Sequence, residues 1–315
     1  MAKYIVRRLL HLLPILFVVS VVVFAMLLTL PGDPTLTLLG PQASQAQRLA
    51  LRHAMGFDQP IPIQYLRWLT NFLSGDFGRS LRTQEPVSEM LLSRIPVTLE
   101  LTILSMTLSV VIGVPLGIIS ALRRGKFTDQ IIRVVGMAGI ALPHFWAGIL
   151  LIMLLSVYLG WLPPSGYVPI WVDPIGNLRL MIMPCLMIGA SLSALILRQT
   201  RASMLQVLSE DYVRTARAKG ASEPQVVIQH ALRNALIPIV TVIGLEFGRL
   251  IGGVVITEMI FSLPGLGQMI VEGIFERDFA PLQAAILFVV IGTLLVNLSA
   301  DLIYAGLDKR VKLSG

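Results

Sequence analysis

The chain has 315 residues, 55% of them apolar and only 14% charged, with a mean hydropathy of +0.78. Soluble domains run at roughly 45–50% apolar and about 25% charged, so the composition excludes an ordinary soluble enzyme and indicates a polytopic membrane protein. The net charge of +7 gathers at the ends of apolar spans, so it argues for membrane topology and not for nucleic acid. The single cysteine, Cys185, excludes a disulfide framework and a Cys-based metal site within one chain.

Crossing a bilayer as a helix takes ~20 mostly apolar residues. Five windows meet that length, at about 9–30, 98–122, 135–159, 236–257 and 284–306, and a shorter sixth lies at about 180–198. An all-α protein with six transmembrane helices is expected. The first apolar run is longer than the ~7–15-residue core of a cleaved signal, so it is expected to be a retained signal-anchor. The division is then an N-terminal helix (1–30), an extracytoplasmic loop with short amphipathic helices (31–97) and a core of five spans (98–315).

Within the loop, Leu30–Pro34 (LPGDP) forbids continuation of the first helix. Amphipathic stretches follow at 43–55, 63–73 and 87–93. Tyr65, Trp68 and Phe72 recur at helical spacing, which predicts a helix lying on the bundle or at the membrane interface. The basic turn ALRRGKFTDQ joins spans 2 and 3. Pro143 is expected to kink span 3 just before His144, and an interior, hydrogen-bonded histidine is expected there. Between spans 5 and 6, Pro264, Gly265 and Gly267 predict a tight turn ahead of a short amphipathic helix.

Lys and Arg set the orientation. Lys3, Arg7, Arg8, Arg123, Arg124, Lys126, Arg133, Arg198, Arg201, Lys309, Arg310 and Lys312 fall on one side, and the two short loops opposite hold only Arg179 and Arg277. The positive-inside rule therefore places both termini in the cytoplasm. On that side lies the longest polar module between spans, 211–240. Asp211 can start a helix whose polar side carries Arg214, Arg217 and Lys219. Gly220 suits a left-handed terminus, and Ser222 can cap a second helix with Glu223 and Pro224 in its first turn.

A helix–Gly–helix at this place resembles the Glu-Ala-Ala coupling loop of ATP-binding-cassette import permeases. DYVRTARAKG…HALRNALIP looks like the dipeptide/oligopeptide/nickel (binding-protein-dependent) branch, first (B-type) subunit. Four more matches occur in order: LPGDP, GDFGRS (75–80), TLEL (98–101) and FSLPGLG (261–267). The superfamily's Glu-Ala-Ala falls on Arg214, Thr215 and Ala216 here, so a contact made by that Glu does not transfer. The resemblance implies a type I importer (MetI-like) fold at the bacterial inner membrane. It implies a heterodimer with a second homologous permease, two cytoplasmic ATPase subunits that carry ATP and Mg, and an extracytoplasmic substrate-binding protein, all in contact with membrane lipid where they meet the bilayer. This chain has no GxxxxGK[ST] loop, and no cofactor, metal or nucleic acid is expected on it. The resemblance places ATPase coupling within 201–235, on Asp211, Arg214, Thr215, Ala216, Arg217, Ala218, Lys219, Gly220, Ala221, Arg233 and Asn234. The implied cargo is a short peptide, with glutathione or nickel as alternatives.

Pathway candidates are the polar groups at membrane depth: Glu246 and Arg249 one turn apart, His144, and Glu100 near the outer mouth. Glu246 and Arg249 read equally as a structural pair. Pro264, Gly265 and Gly267 are candidates for an outer gate. Glu258 and Asp301 are expected to be interfacial or packing groups. A rival reading is an ion-coupled carrier, which usually places several ionisable groups at the midplane. An intramembrane enzyme would need paired Asp, Ser/His or His-rich metal spacing, and His11, His53, His144 and His230 are scattered.

Overall fold

The computed structural model describes residues 2–29, 44–55 and 58–307. Among these the chain is almost wholly helical. Helix α1 is Ala2–Thr29, α2 is Gln45–Met55, α3 is Ile61–Leu73 and α4 is Val87–Leu122. Then come α5 (Phe127–Ala141), α6 (His144–Leu151), α7 (Pro174–Leu208), α8 (Asp211–Ala218) and α9 (Glu223–Gly253). The last three are α10 (Val255–Phe261), α11 (Leu266–Glu276) and α12 (Phe279–Leu307). The LPGDP segment lies outside the described residues, and nothing is described of the Asp301 side chain.

Four helices, α4, α7, α9 and most of α12, are each long and apolar enough to cross a membrane. The pair α5–α6 bends by 100° at Leu142–Pro143, and α10–α11 bends by 83°. Counting α5–α6 as one span and adding the shorter apolar stretch Leu10–Met26 of α1 reproduces the six expected spans. The α10–α11 pair is then a hairpin at one end of the bundle. Two expectations change in detail. Residues 87–93, expected as a loop helix, are the first turns of α4. The kink at Pro143 is a full break, because proline removes one backbone donor and clashes with the preceding turn.

Helices α4 and α7 form the centre. With lipid outside, apolar surface gives little drive to bring helices together, so small residues that permit close backbone approach decide the contact. A Cβ on Gly113 would lie 2.7 Å from the Ser193 carbonyl, and one on Gly117 would lie 2.6 Å from Thr200 Cβ. Around this seam pack Leu101, Met106, Met183, Met187, Ile188 and Ile196, all buried.

The aromatic periodicity predicted over 65–72 is met. Tyr65, Trp68 and Phe72 of α3 form a ladder running from Phe24 of α1 to Phe77, in the segment after α3, and to Phe288 of α12. The Tyr65 hydroxyl also lies 2.8 Å from the Ser20 hydroxyl. The helix lies on the bundle because its aromatic face has two helices to cover it.

Candidate functional site

Two polar assemblies sit at opposite ends of the bundle. At the end bearing the basic turns, α8 projects between α7 and α9. Its one buried side chain is Val213, and Tyr212 receives a hydrogen bond from Asn234 Nδ2 at 2.9 Å. Asn234 also donates to the His230 carbonyl at 2.9 Å, so a single amide ties α8 to the following helix. Beneath α8, residues 226–232 take the wider π-helical turn, with Val226, Val227 and Ala231 buried. Met204, Ala231, Ala235 and Ile239 form an apolar cluster with Ala121 of α4 at the same end.

The glycine break is as expected. Gly220 has φ +84° and its Cβ position is open, so only backbone conformation restricts this residue. Ser222 precedes Glu223 and Pro224, and its N–H donates to Gln225 Oε1 at 3.1 Å, one arm of a capping box. Arg217, expected to be available to a partner, binds Glu223 across the turn at 2.8 Å. Arg214 lies a long 3.5 Å from Asp211. Thr215 donates to the Asp211 carbonyl. Thr215, Ala218, Lys219 and Gly220 are exposed, Ala216 and Ala221 partly so. What remains presented is a small-residue face with a cationic rim.

The same end holds a buried carboxylate absent from the predicted set. Asp129, in the first turn of α5, is 1% exposed. It accepts from Ser120 Oγ at 2.6 Å, from Gly125 N–H at 3.0 Å and from Arg201 Nε and Nη2 at 2.9 and 3.0 Å. The only hint in the sequence is one acid at the end of an otherwise basic turn.

At the opposite end, three of the matched motifs converge. Glu258 of α10 is fully buried. It accepts from Thr98 of TLEL at 2.6 Å and from Gln268 N–H at 2.9 Å, while Thr98 Oγ1 accepts from Leu266 N–H at 2.8 Å. A carboxylate folded under the start of α11 thus takes the place of a helix cap. Any side chain at Gly265 would run into that carboxylate, which explains glycine in PGLG. Ser80 of GDFGRS donates to Asp278 just beyond α11, and Arg82–Glu276 and Arg94–Glu272 pair around the rim. In sequence, Glu258 reads only as an interfacial or packing group. Its role depends on Thr98, 160 residues away.

The pathway candidates are dispersed. Arg249 Nη1 donates to Glu246 Oε1 at 2.8 Å, as the one-turn spacing predicted. The Arg249 side chain is 77% exposed, Glu246 only 15%. His144 is exposed, which corrects the expectation of an interior histidine: α6 starts beyond the bend and turns its first residues away from the bundle. Tyr167, in the loop after α6, donates to Glu100 Oε2 at 2.8 Å, and Glu100 Oε1 is buried without a partner among the described residues. Burial and the adjacent Glu100 carboxylate raise the Tyr167 phenol pKa above its ordinary value. Among the described residues no three His, Cys, Asp or Glu side chains group as metal ligands.

Comparison with known proteins accords with this geometry. Residues 113–313 match the family described as binding-protein-dependent transport system inner membrane component, and residues 1–102 match the N-terminal region described for such membrane components. The chain is 43% identical over 312 residues to the glutathione transport system permease protein GsiC of Escherichia coli strain K12, covering 99% of each. It is 42% identical, at the same coverage, to GsiC of Shigella flexneri serotype 5b. Among solved structures it is similar to a chain of the MetNI methionine ABC transporter in an inward-facing conformation, with a TM-score of 0.58 and 19% identity over 70% of this chain and 96% of that one. That likeness concerns the fold alone. The chain is thus a membrane permease component and not an enzyme, and it belongs to the family of binding-protein-dependent transport system inner membrane components.

Proposed function

We propose that this chain forms one half of a heterodimeric pore importing short peptides, with glutathione, itself a tripeptide, as the first cargo to test. The observation that carries the reading is 43% identity along the full length of a glutathione permease. Substrate reaches the outer face on a binding protein, and ATP with Mg is consumed on two separate cytoplasmic subunits. The alternating packings of the spans are biased by those subunits, as a population shift requires.

Helix α8 is the docking element. It is short, rigid, seated through Val213, and presents small residues to a cleft. Asn234 ties Tyr212 of α8 to α9, and the Arg217–Glu223 pair spans the glycine turn, so a push on α8 is passed to α9. The exposed Arg249 in mid-span supports a pore half. An arginine at that depth is costly against hydrocarbon, so its face is covered by the second permease or by a water-filled path. Glu100 Oε1 and the Glu246–Arg249 pair are the proposed contacts for a peptide's charged termini. The α10–α11 hairpin, stiffened by Glu258, is the proposed outer gate.

The test is transport by the reconstituted complex of both permeases, both ATPases and the binding protein. Arg217→Glu with Gly220→Ala is expected to leave basal ATP hydrolysis while abolishing its coupling to uptake. Intact stimulated hydrolysis and intact uptake would sink the α8 assignment. For cargo, ligand affinities of the binding protein decide: selective Ni²⁺ binding with no peptide or glutathione binding overturns the peptide reading.

A further inference from the structure

Every group bound to Asp129 belongs to the end of the bundle that carries α8. Ser120 closes α4, Gly125 sits in the α4–α5 turn with φ +77°, and Arg201 lies on α7. Arg133, one turn along α5, approaches at 3.5 Å. One acidic side chain therefore joins three elements. The two-point bond with Arg201 has a planar geometry that tolerates little sliding. Breaking it would leave a buried charge without its partner, so the joint moves as a body or fails as a body.

What lies on either side gives the joint a use. From Arg201, α7 runs unbroken to Leu208, and only Ser209 and Glu210 separate it from α8. In the other direction α5 ends at Ala141, and the chain turns through 100° at Leu142–Pro143. Beyond that bend, α6 still packs on α7 but gains the α10–α11 hairpin as a second neighbour. Gly148 packs against Met187 Sδ of α7 and against Ile260 of the α10–α11 hairpin. The two halves of this broken span thus share α7 and differ in what else holds them: the Asp129 joint for α5, the α10–α11 hairpin for α6.

We propose that Asp129 is a positioning residue of the transport cycle. Through Arg201 it makes the α4–α5 turn, α5 and the end of α7 one rigid unit with α8, so that displacement of α8 reaches the break at Pro143. The proposal rests on the reading of α8 as the ATPase-docking helix. Proline has no N–H to lose when the bend opens or closes, so the break is the soft point and the Asp129 joint the stiff one.

The experiment uses the reconstituted complex in a Cys185→Ser background, with spin labels at Arg124→Cys and Gln206→Cys, both on the proposed unit and neither buried. Their distance is expected to stay constant between nucleotide-free and ATP-trapped states, while a pair from Arg124 to Trp171 across the break changes. Asp129→Asn is expected to let the first distance shift by ~3 Å or more and to lower uptake per ATP hydrolysed about tenfold, with stimulated hydrolysis retained. Should that variant fail to assemble, Arg201→Lys keeps the charge, loses the two-point bond and is expected to lower the same ratio. An unchanged uptake-to-hydrolysis ratio in the variant that assembles overturns the proposal, as does a wild-type Arg124–Gln206 distance that changes during the cycle. Normal coupling in Arg217→Glu/Gly220→Ala would instead remove the α8 reading, and with it the coupling arm, while leaving the rigid-unit distances to stand or fall alone.

Discussion

Glu258 shows how one buried residue organises a hairpin. Its carboxylate takes the Thr98 hydroxyl and the Gln268 N–H, and the same Thr98 receives Leu266 N–H, so the bent hairpin has its orphan donors filled. Leaving a buried donor without a partner costs about 1–3 kcal/mol for each group. Glu258→Ala is therefore expected to lower the thermal unfolding temperature of the purified chain clearly. Glu258→Gln, which keeps one acceptor oxygen, should lower it less. Equal unfolding temperatures for wild type and Glu258→Ala would show that the cap is idle. Gly220 is the contrasting case: its Cβ position is open, and Gly220→Ala is charged only the left-handed backbone penalty, roughly 1–2 kcal/mol. Neither cost is visible from composition. The Gly220 turn was nevertheless readable, because a glycine between two helical patterns commonly marks a helix end. Glu258 looked like any acid near a span end.

At the scale of elements, the α4–α7 seam depends on glycine spacing. Gly113 and Gly117 stand four apart on α4, and each lies too close to α7 to accept a side chain. Gly117→Leu is expected to abolish accumulation of folded protein in the membrane, while Gly253→Ala, at a position with nothing nearby, should be tolerated. A folded, active Gly117→Leu protein would mean the seam can open freely. The α8 element makes the opposite kind of prediction. The Arg217–Glu223 pair is exposed, so its contribution to stability is about 0–1 kcal/mol. Arg217→Ala should leave the unfolding temperature within a degree or two of wild type, by roughly that allowance, and still reduce the coupling of hydrolysis to uptake. A large loss of stability with unaffected coupling would make the pair structural.

For the whole molecule, the Lys/Arg bias and the two polar assemblies define a direction. The α4–α5 turn, α8 and the glycine turn lie at one end; Tyr167, the Glu258 hairpin and Asp278 lie at the other. Reporter fusions at Gly125 and Gly220 are expected to report cytoplasm, and fusions at Gly166 and Asp278 the outside. The reverse pattern would invert the proposed import machinery. The number of spans and the helix–glycine–helix module at 211–240 were legible along the chain, because each rests on local apolar length or turn chemistry. The matched motifs GDFGRS, TLEL and FSLPGLG were legible as strings only. Their meeting at Asp278 and Glu258 was not.

The sequence by itself determined that this protein is a helical polytopic membrane protein with a basic, glycine-broken module between two of its spans, since apolar length and helix punctuation are local. The permease reading came from the resemblance that its motifs carry. Only the tertiary structure decided that span 3 is two helices, both packed on α7 and the second also on the α10–α11 hairpin, that His144 faces outward, and that Asp129 and Glu258 are the buried carboxylates around which each end is built. Those facts depend on partners 72 and 160 residues away, and a buried charge is recognised only by what surrounds it.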